Sequence, residues 1–219
     1  MDTEFIVKYI PLYVEATKLT LGIGLVGIVL SVVAGLLIVW IQYFRLPVFK
    51  QLAAVYIELS RNTPLLVQLF FLYFGLPKAG IRISSQGCAM IGLCFLGGSY
   101  MAEAFRSGIE SVERGQEESA LALGLKKSQV VRYIILPQAI SVSVPALCAN
   151  MIFLLKETSV FSVVALADLM YVAKDLIGLY YKTDEALLML VIAYLMILLP
   201  ISVLAAALER RLRYAGFGN

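Results

Sequence analysis

Leu19-Thr20-Leu21-Gly22-Ile23-Gly24-Leu25-Val26-Gly27-Ile28-Val29-Leu30-Ser31-Val32-Val33-Ala34-Gly35-Leu36-Leu37-Ile38-Val39-Trp40-Ile41 runs for 23 residues without a charge. As a helix it would be roughly 34 Å long, enough to cross a hydrocarbon core of about 30 Å. This stretch predicts a membrane span over 19–41. Gly22, Gly24, Gly27 and Gly35 lie within it. Small residues let helices approach closely, so one face is expected to pack against protein rather than lipid. Ahead of it, Met1-Asp2-Thr3-Glu4-Phe5 is acidic. A cleavable signal peptide needs a basic n-region, so the span is expected to stay in the mature protein.

The same reading extends outward along the chain. Leu65 to Leu76 is uncharged, Leu52 to Leu59 is apolar except for Glu58, and Arg61-Asn62-Thr63-Pro64 separates the two. Proline removes a helical hydrogen bond and kinks or starts a helix, which places a second span at about 60–76. Gln86 to Ala102 is uncharged and the apolar run passes Glu103 to Phe105, giving a third span at 86–105. A polar stretch from Arg106 to Arg132 then carries nine charges, inside a loop taken as 106–138. Ala139 to Ala167 is 29 residues interrupted only by Lys156-Glu157. That exceeds one crossing, so the fourth span, 139–158, is expected to break near Lys156-Glu157-Thr158. Ala186 to Leu208, with Pro200 inside, is the fifth span, 186–208.

Composition agrees. The 219 residues are 61% hydrophobic and 15% charged, with a mean hydropathy of +0.88. Ordinary soluble domains are near 45–50% and about 25%. The expectation is a single-domain, all-α integral membrane protein with about five spans. A net charge of +3 gives no sign of nucleic-acid binding. With no histidine, the commonest general base and metal ligand is missing. Cys88, Cys94 and Cys148 sit in apolar stretches without a CxxC pair and read as packing residues. Neither a catalytic set nor a metal site is expected.

Five spans put the termini on opposite sides. The first, third and last connecting segments carry Arg45, Lys50, Arg61; Arg106, Arg114, Lys126, Lys127, Arg132; and Arg210, Arg211, Arg213, which makes 11 basic residues against 7 elsewhere. The positive-inside rule then sets the N-terminus outside and the C-terminus in the cytoplasm.

The loop reads Glu118-Ser119-Ala120, three residues, Gly124, nine residues, Ile134-Ile135-Leu136-Pro137. This resembles the EAA motif of permease subunits of bacterial ATP-binding cassette importers, with Ser119 in place of the first alanine. Arg61-Asn62-Thr63-Pro64-Leu65-Leu66-Val67-Gln68 is similar to a segment of the polar amino acid permeases within that group. So are Ser99-Tyr100-Met101-Ala102-Glu103, Leu155-Lys156-Glu157-Thr158-Ser159, Pro137-Gln138-Ala139 and Leu208-Glu209-Arg210-Arg211-Leu212. Asn62 stands where glycine is usual, and Ser141 where arginine is common.

The resemblance implies a type I importer permease fold in a bacterial cytoplasmic membrane. It implies two ATP-binding ATPase subunits, a second permease subunit in a homo- or heterodimer, an external solute-binding protein and a polar amino acid substrate. ATP and Mg would belong to the ATPase. Gly124-Leu125-Lys126-Lys127-Ser128 lacks the Gly-Lys-Ser/Thr adjacency of a Walker A loop, so no cofactor is expected in this chain. The alternative is a secondary amino acid transporter working alone.

Two sets of residues are singled out. In the loop, Gln116 to Lys127 is expected to form an amphipathic helix that couples to the ATPase. Glu117 and Glu118 would lie in its first turn, Leu121 and Leu125 would share a face with Ala120 and Gly124 nearby, and Lys126 and Lys127 would complement the dipole in its last turn. Facing the substrate, the candidates are Glu157, Lys156, Thr158, Ser99, Tyr100, Glu103, Asn62 and Thr63. An acid within a span costs about 2.5–3.5 kcal/mol or more and signals function by default. Glu157 suits an amino acid's ammonium. Glu103 also has a structural reading, as an i,i+3 partner of Arg106. Tyr100 reads equally as a pocket wall or as a belt residue.

Overall fold

The computed structural model describes residues 1–43 and 47–216, without the side chains of 47 and 212–216. Arg45 and the side chains of Leu212 and Arg213, used in the sequence reading, lie outside that set. Among the described residues the secondary structure is entirely helical. The helices are α1 (Thr3–Tyr43), α2 (Pro47–Arg61), α3 (Leu65–Phe70), α4 (Ser85–Glu110), α5 (Arg114–Ala122), α6 (Lys127–Val130), α7 (Leu136–Glu157), α8 (Leu169–Tyr180) and α9 (Thr183–Gly216). Among the described residues, four segments are long and apolar enough to cross a membrane: Thr3–Tyr43, Ser85–Glu110, Lys127–Val164 and Thr183–Arg211. The fifth crossing is assembled from α2, α3 and the apolar stretch through Ala79.

The first helix begins well before position 19. Its charged N-terminal part, with Glu4, Lys8, Glu15 and Lys18, stays helical because its other face is buried by protein. Phe5, Tyr13 and Ala16 pack with Leu169, Val172, Leu176, Ala186 and Leu190 of α8 and α9. The helix leading into the second span likewise starts earlier, at Pro47, with Lys50 and Glu58 interrupting its apolar pattern. It breaks at Asn62-Thr63-Pro64. Pro64 has no N–H to donate to the Ser60 carbonyl four residues back. The Gln68 Nε2 replaces it, donating to Ser60 O at 3.3 Å and to Thr63 O at 2.9 Å.

α1 and α4 form the centre of the bundle and run in the same direction, since Gly27 abuts Leu93 and Gly35 abuts Met101. A Cβ on Gly35 would stand 2.6 Å from that of Met101 and 2.9 Å from the Ala102 nitrogen, so only glycine permits this approach. Gly24 meets Leu155 and Thr158, whereas Gly22 faces open space. α7 runs antiparallel to α4, with Ser143 against Gly108, Asn150 against Tyr100 and Leu154 against Gly97. Pro137 leaves a gap in the helical bonding, and the chain before it widens into a π-type turn over Val131–Ile135. At Glu157 the α-helix passes into a 3-10 stretch, Thr158–Val164, which ends on the left-handed Ala165. α8, absent from the sequence reading, follows with Asp168 as its N-cap, accepting from Tyr171 N–H at 3.0 Å.

Candidate functional site

The polar loop forms two short helices rather than one. α5 ends at Ala122, before the expected Lys127. Gly124 stops it at φ +84°, a left-handed conformation that glycine adopts without strain. The Leu125 N–H donates to Ala120 O at 3.2 Å and the Gly124 N–H to Leu121 O at 3.0 Å. This is a Schellman stop, in which the C″ and C′ amides satisfy the last helical carbonyls. Leu125 consequently turns inward onto a small core of Ala120, Val130 and Ile135, instead of sharing an outer face with Leu121. Leu123, the C-cap residue, is 81% exposed, and Leu121 is partly exposed on α5 itself. Lys126 and Lys127 stand at the start of α6, where the Lys126 N–H donates to Gln129 Oε1 at 2.8 Å. There they do not complement the α5 dipole. Glu117 lies in the first turn of α5 as expected, and Glu118 follows it on an exposed position. Gln138 Nε2 donates to Gln116 Oε1 at 2.5 Å, fastening α5 to the start of α7.

The substrate candidates divide into committed and uncommitted side chains. Ser99 is fully buried, its hydroxyl donating to Leu96 O at 2.7 Å and lying 2.9 Å from the Ser60 hydroxyl. Thr158 is also fully buried and donates to Leu155 O at 2.7 Å. Asn62 Nδ2 is held by Glu58, through its carbonyl at 2.8 Å and its carboxylate at 3.1 Å. Thr63 borders a cavity of about 390 Å³ with Gln68, Gly92 and Phe95. Glu103 takes Arg106 at 2.7 Å and Arg61 at 3.7 Å, and Arg106 also reaches Glu110 at 2.6 Å. In contrast, Lys156 and the half-buried Glu157 have neither a hydrogen bond nor an ion pair among the described residues.

Tyr100 joins these groups. The Arg61 guanidinium lies over its ring at 5.3 Å, its carbonyl accepts from Asn150 Nδ2 at 3.0 Å, and its ring meets Phe153 at 5.2 Å. Glu157 is four residues beyond Phe153 and shares its helical face. A strip thus runs Arg61–Tyr100–Phe153–Glu157, with a cation at one end, an anion at the other and aromatic rings between. The register of α7 on α4 sets Glu157 level with about Cys94, so the two acids are separated in depth by roughly nine residues of helix, or about 13 Å. Ser60, Gln68 and Phe153 were missed in the sequence; Gln68 alone had a signal there, lying four residues after the proline.

Five apolar crossings, one of them broken at Asn62-Thr63-Pro64, and a short helix slung between the third and fourth define a transport subunit of the membrane. The chain belongs to the family described as "Binding-protein-dependent transport system inner membrane component", whose model matches residues 27–214. It is 35% identical over 214 residues to the glutamine transport system permease protein GlnP of Escherichia coli (strain K12), covering 97% of this chain and 98% of that one. It is 34% identical over 213 residues to the probable amino-acid permease protein YxeN of Bacillus subtilis (strain 168), covering 96% and 95%. Among solved structures, an amino acid ABC transporter crystallised with histidines superposes with a TM-score of 0.91 at 34% identity, covering 96% of this chain and 99% of that one. The MetNI methionine ABC transporter shares the fold, with a TM-score of 0.74 at 19% identity over 94% and 98% of the two chains.

Proposed function

We propose that this chain is the permease subunit of a polar amino acid importer in a bacterial cytoplasmic membrane. It works with a second permease subunit, two ATPase subunits that bind ATP and Mg, and an external solute-binding protein. The observation that carries this reading is α5, a capped helix that presents Leu121 and Leu123 to solvent while Ala120 and Gln116 fasten it to the ends of α4 and α7. Exposed leucines on a rigidly anchored helix suit a groove on a partner. Movement of that partner on ATP binding would pass directly to the crossings. The N-terminus faces outside and α5 faces the cytoplasm, as favoured by the basic residues that lie clear of α2: Arg106, Arg114, Lys126, Lys127 and Arg132 around α5, and Arg210, Arg211 and Arg213 at the C-terminal end.

Glu157 is the group best placed for the substrate's ammonium. It is uncommitted, partly buried and at the C-terminal end of an α-helix, where the dipole also favours a cation. Tyr100 borders the same strip through Arg61 and Phe153, and Lys156, Asn62 and Thr63 are assigned to recognition only by the family resemblance. Ser99 and Thr158 are buried and bonded within their own helices, so their role is in packing, and Glu103 pairs with Arg61 at the other end of the strip. Reconstitution in proteoliposomes tests the reading: uptake should require ATP and added ATPase. Uptake by this chain alone on an ion gradient would establish a secondary transporter instead.

A further inference from the structure

We propose that Tyr181 is a docking residue for the external solute-binding protein. The inference rests on the importer reading above. α8 and α9 are joined by two residues, Tyr181 and Lys182. Tyr181 has φ 57° and ψ 24°, and its N–H donates to Ile177 O at 3.0 Å. An aromatic residue is disfavoured in this left-handed region, where glycine is the usual choice. The side chain is also 88% exposed, so contacts among the described residues offset little of the strain. Strain held at such a position points to a use outside the fold.

The surroundings make the turn a rigid platform. Tyr13 donates its hydroxyl to Ala186 O at 2.7 Å, the Asp2 N–H donates to Glu185 Oε1 at 2.7 Å, and Lys182 Nζ donates to Asp2 Oδ2 at 3.0 Å. Phe5, Tyr9 and Tyr180 cluster beside it in tilted and edge-on contacts, with ring centroids 4.6–5.7 Å apart. Lys8, Asp175, Lys182 and Asp184 lie around the same tip. Charges at this density belong in water rather than in hydrocarbon. The tip sits at the Thr3 end of α1, the end away from α5. A transport family that depends on a binding protein must receive it on that face, and a preordered, solvent-exposed tyrosine is a favoured interface hot spot.

The test uses the reconstituted complex and a solute-binding protein purified from the source cell, loaded in parallel with L-glutamine, L-glutamate, L-arginine, L-histidine and L-cystine. Tyr181→Gly fits the left-handed backbone, so thermal stability and basal ATPase activity should be retained. The concentration of loaded binding protein giving half-maximal ATPase stimulation should rise about tenfold, as for loss of one hot spot. Tyr181→Trp should retain wild-type stimulation. An unchanged half-saturating concentration in Tyr181→Gly would overturn the docking role while leaving the importer reading intact. So would a fall in stability and basal activity at unchanged half-saturation, which would mark the ring as an interfacial anchor. If none of the loaded forms stimulates the wild-type complex, the importer reading fails and takes the docking role with it.

Discussion

The side-chain amide of Gln68 donates to the carbonyl of Ser60, the same carbonyl that Pro64 cannot serve. The second crossing is therefore broken in its backbone yet satisfied by a side chain from its own next turn. Ser60 in turn places its hydroxyl on Phe95 O at 2.7 Å and beside Ser99 at 2.9 Å, so the break is fixed to α4. Non-helical backbone at membrane depth needs such partners, because lipid supplies none.

Gln68→Leu should accordingly lower stability by about 1–3 kcal/mol, the cost of leaving buried carbonyls without a donor. Thermal unfolding in detergent would show it as a lower midpoint. Gln68→Glu should be at least as damaging, since an ionised carboxylate has no donor to offer. Wild-type stability in both variants would mean that the amide does not hold the break.

The crossings were legible because uncharged runs of bilayer length have few other uses. Leu19 to Ile41 announced α1, and Lys156-Glu157 marked the end of α7 within a run too long for one crossing. Gly35 could be read as a close-packing residue, although not which helix it meets. The parts that escaped the sequence depend on tertiary contacts. The charged half of α1 and the whole of α8 are helical through mutual burial, with Phe5 and Tyr13 against Leu169 and Leu176. Leu125 carries the spacing of an outer-face residue, but the left-handed turn at Gly124 rotates it inward. Ser99 is a substrate candidate by sequence, but its hydroxyl is bonded to Leu96 O and lies beside that of Ser60, a residue 39 positions away.

The stop at Gly124 gives a second prediction. Nothing lies within 4 Å of a Cβ built there, so the demand is on the backbone rather than on space within this chain. Gly124→Asn should be tolerated, since asparagine enters the left-handed region readily. Gly124→Val should misplace Leu123 and Leu125, at a local cost of roughly 1–2 kcal/mol or more. Membrane insertion should be unaffected and co-purification of the ATPase should fall. Gly124→Arg adds bulk and charge at the proposed contact and should be worse. Equal ATPase recovery from the valine and asparagine variants would show that the turn geometry does not matter to assembly.

The terminal latch should respond to pH. The Phe5 N–H, and then Lys182, hold the Asp2 carboxyl below its ordinary 3.8, while Asp2 raises Lys182 above its ordinary 10.5. For the depressed acid, the contribution to order is present above 3.8 and is lost as pH falls through the lower folded value. For the raised lysine, it is present below 10.5 and is lost as pH climbs through the higher folded value. The latch is thus closed across the neutral range and opens on acidification below 3.8. Hydrogen exchange over residues 1–9, corrected for intrinsic rates, should show weakened protection there. Lys182→Met should lower that protection at neutral pH, and identical protection in the variant would exclude the ion pair as its source.

Glu157 and Glu103 should separate by phenotype. Glu157 has no partner to lose among the described residues, and a neutral amide of the same shape is cheaper to bury than a carboxylate. Glu157→Gln should therefore fold, insert and retain its ATPase. Uptake should fall at least about tenfold, because a hydrogen bond to a charged group contributes about 1.5–3 kcal/mol. Glu103 holds Arg106 and Arg61, and Arg106 keeps Glu110 when Glu103 is replaced. Glu103→Gln should cost stability or assembly more than substrate affinity, with an effect near 1 kcal/mol, about what a partly exposed pair supplies. Binding of labelled amino acid to the reconstituted complex, read beside its thermal midpoint, distinguishes the two. Wild-type uptake by Glu157→Gln combined with lost binding in Glu103→Gln would exchange the two roles. If both variants bind normally, neutral oxygens hold the ammonium, with main-chain carbonyls at the α7 break the nearest source, and Glu157 has no part in recognition.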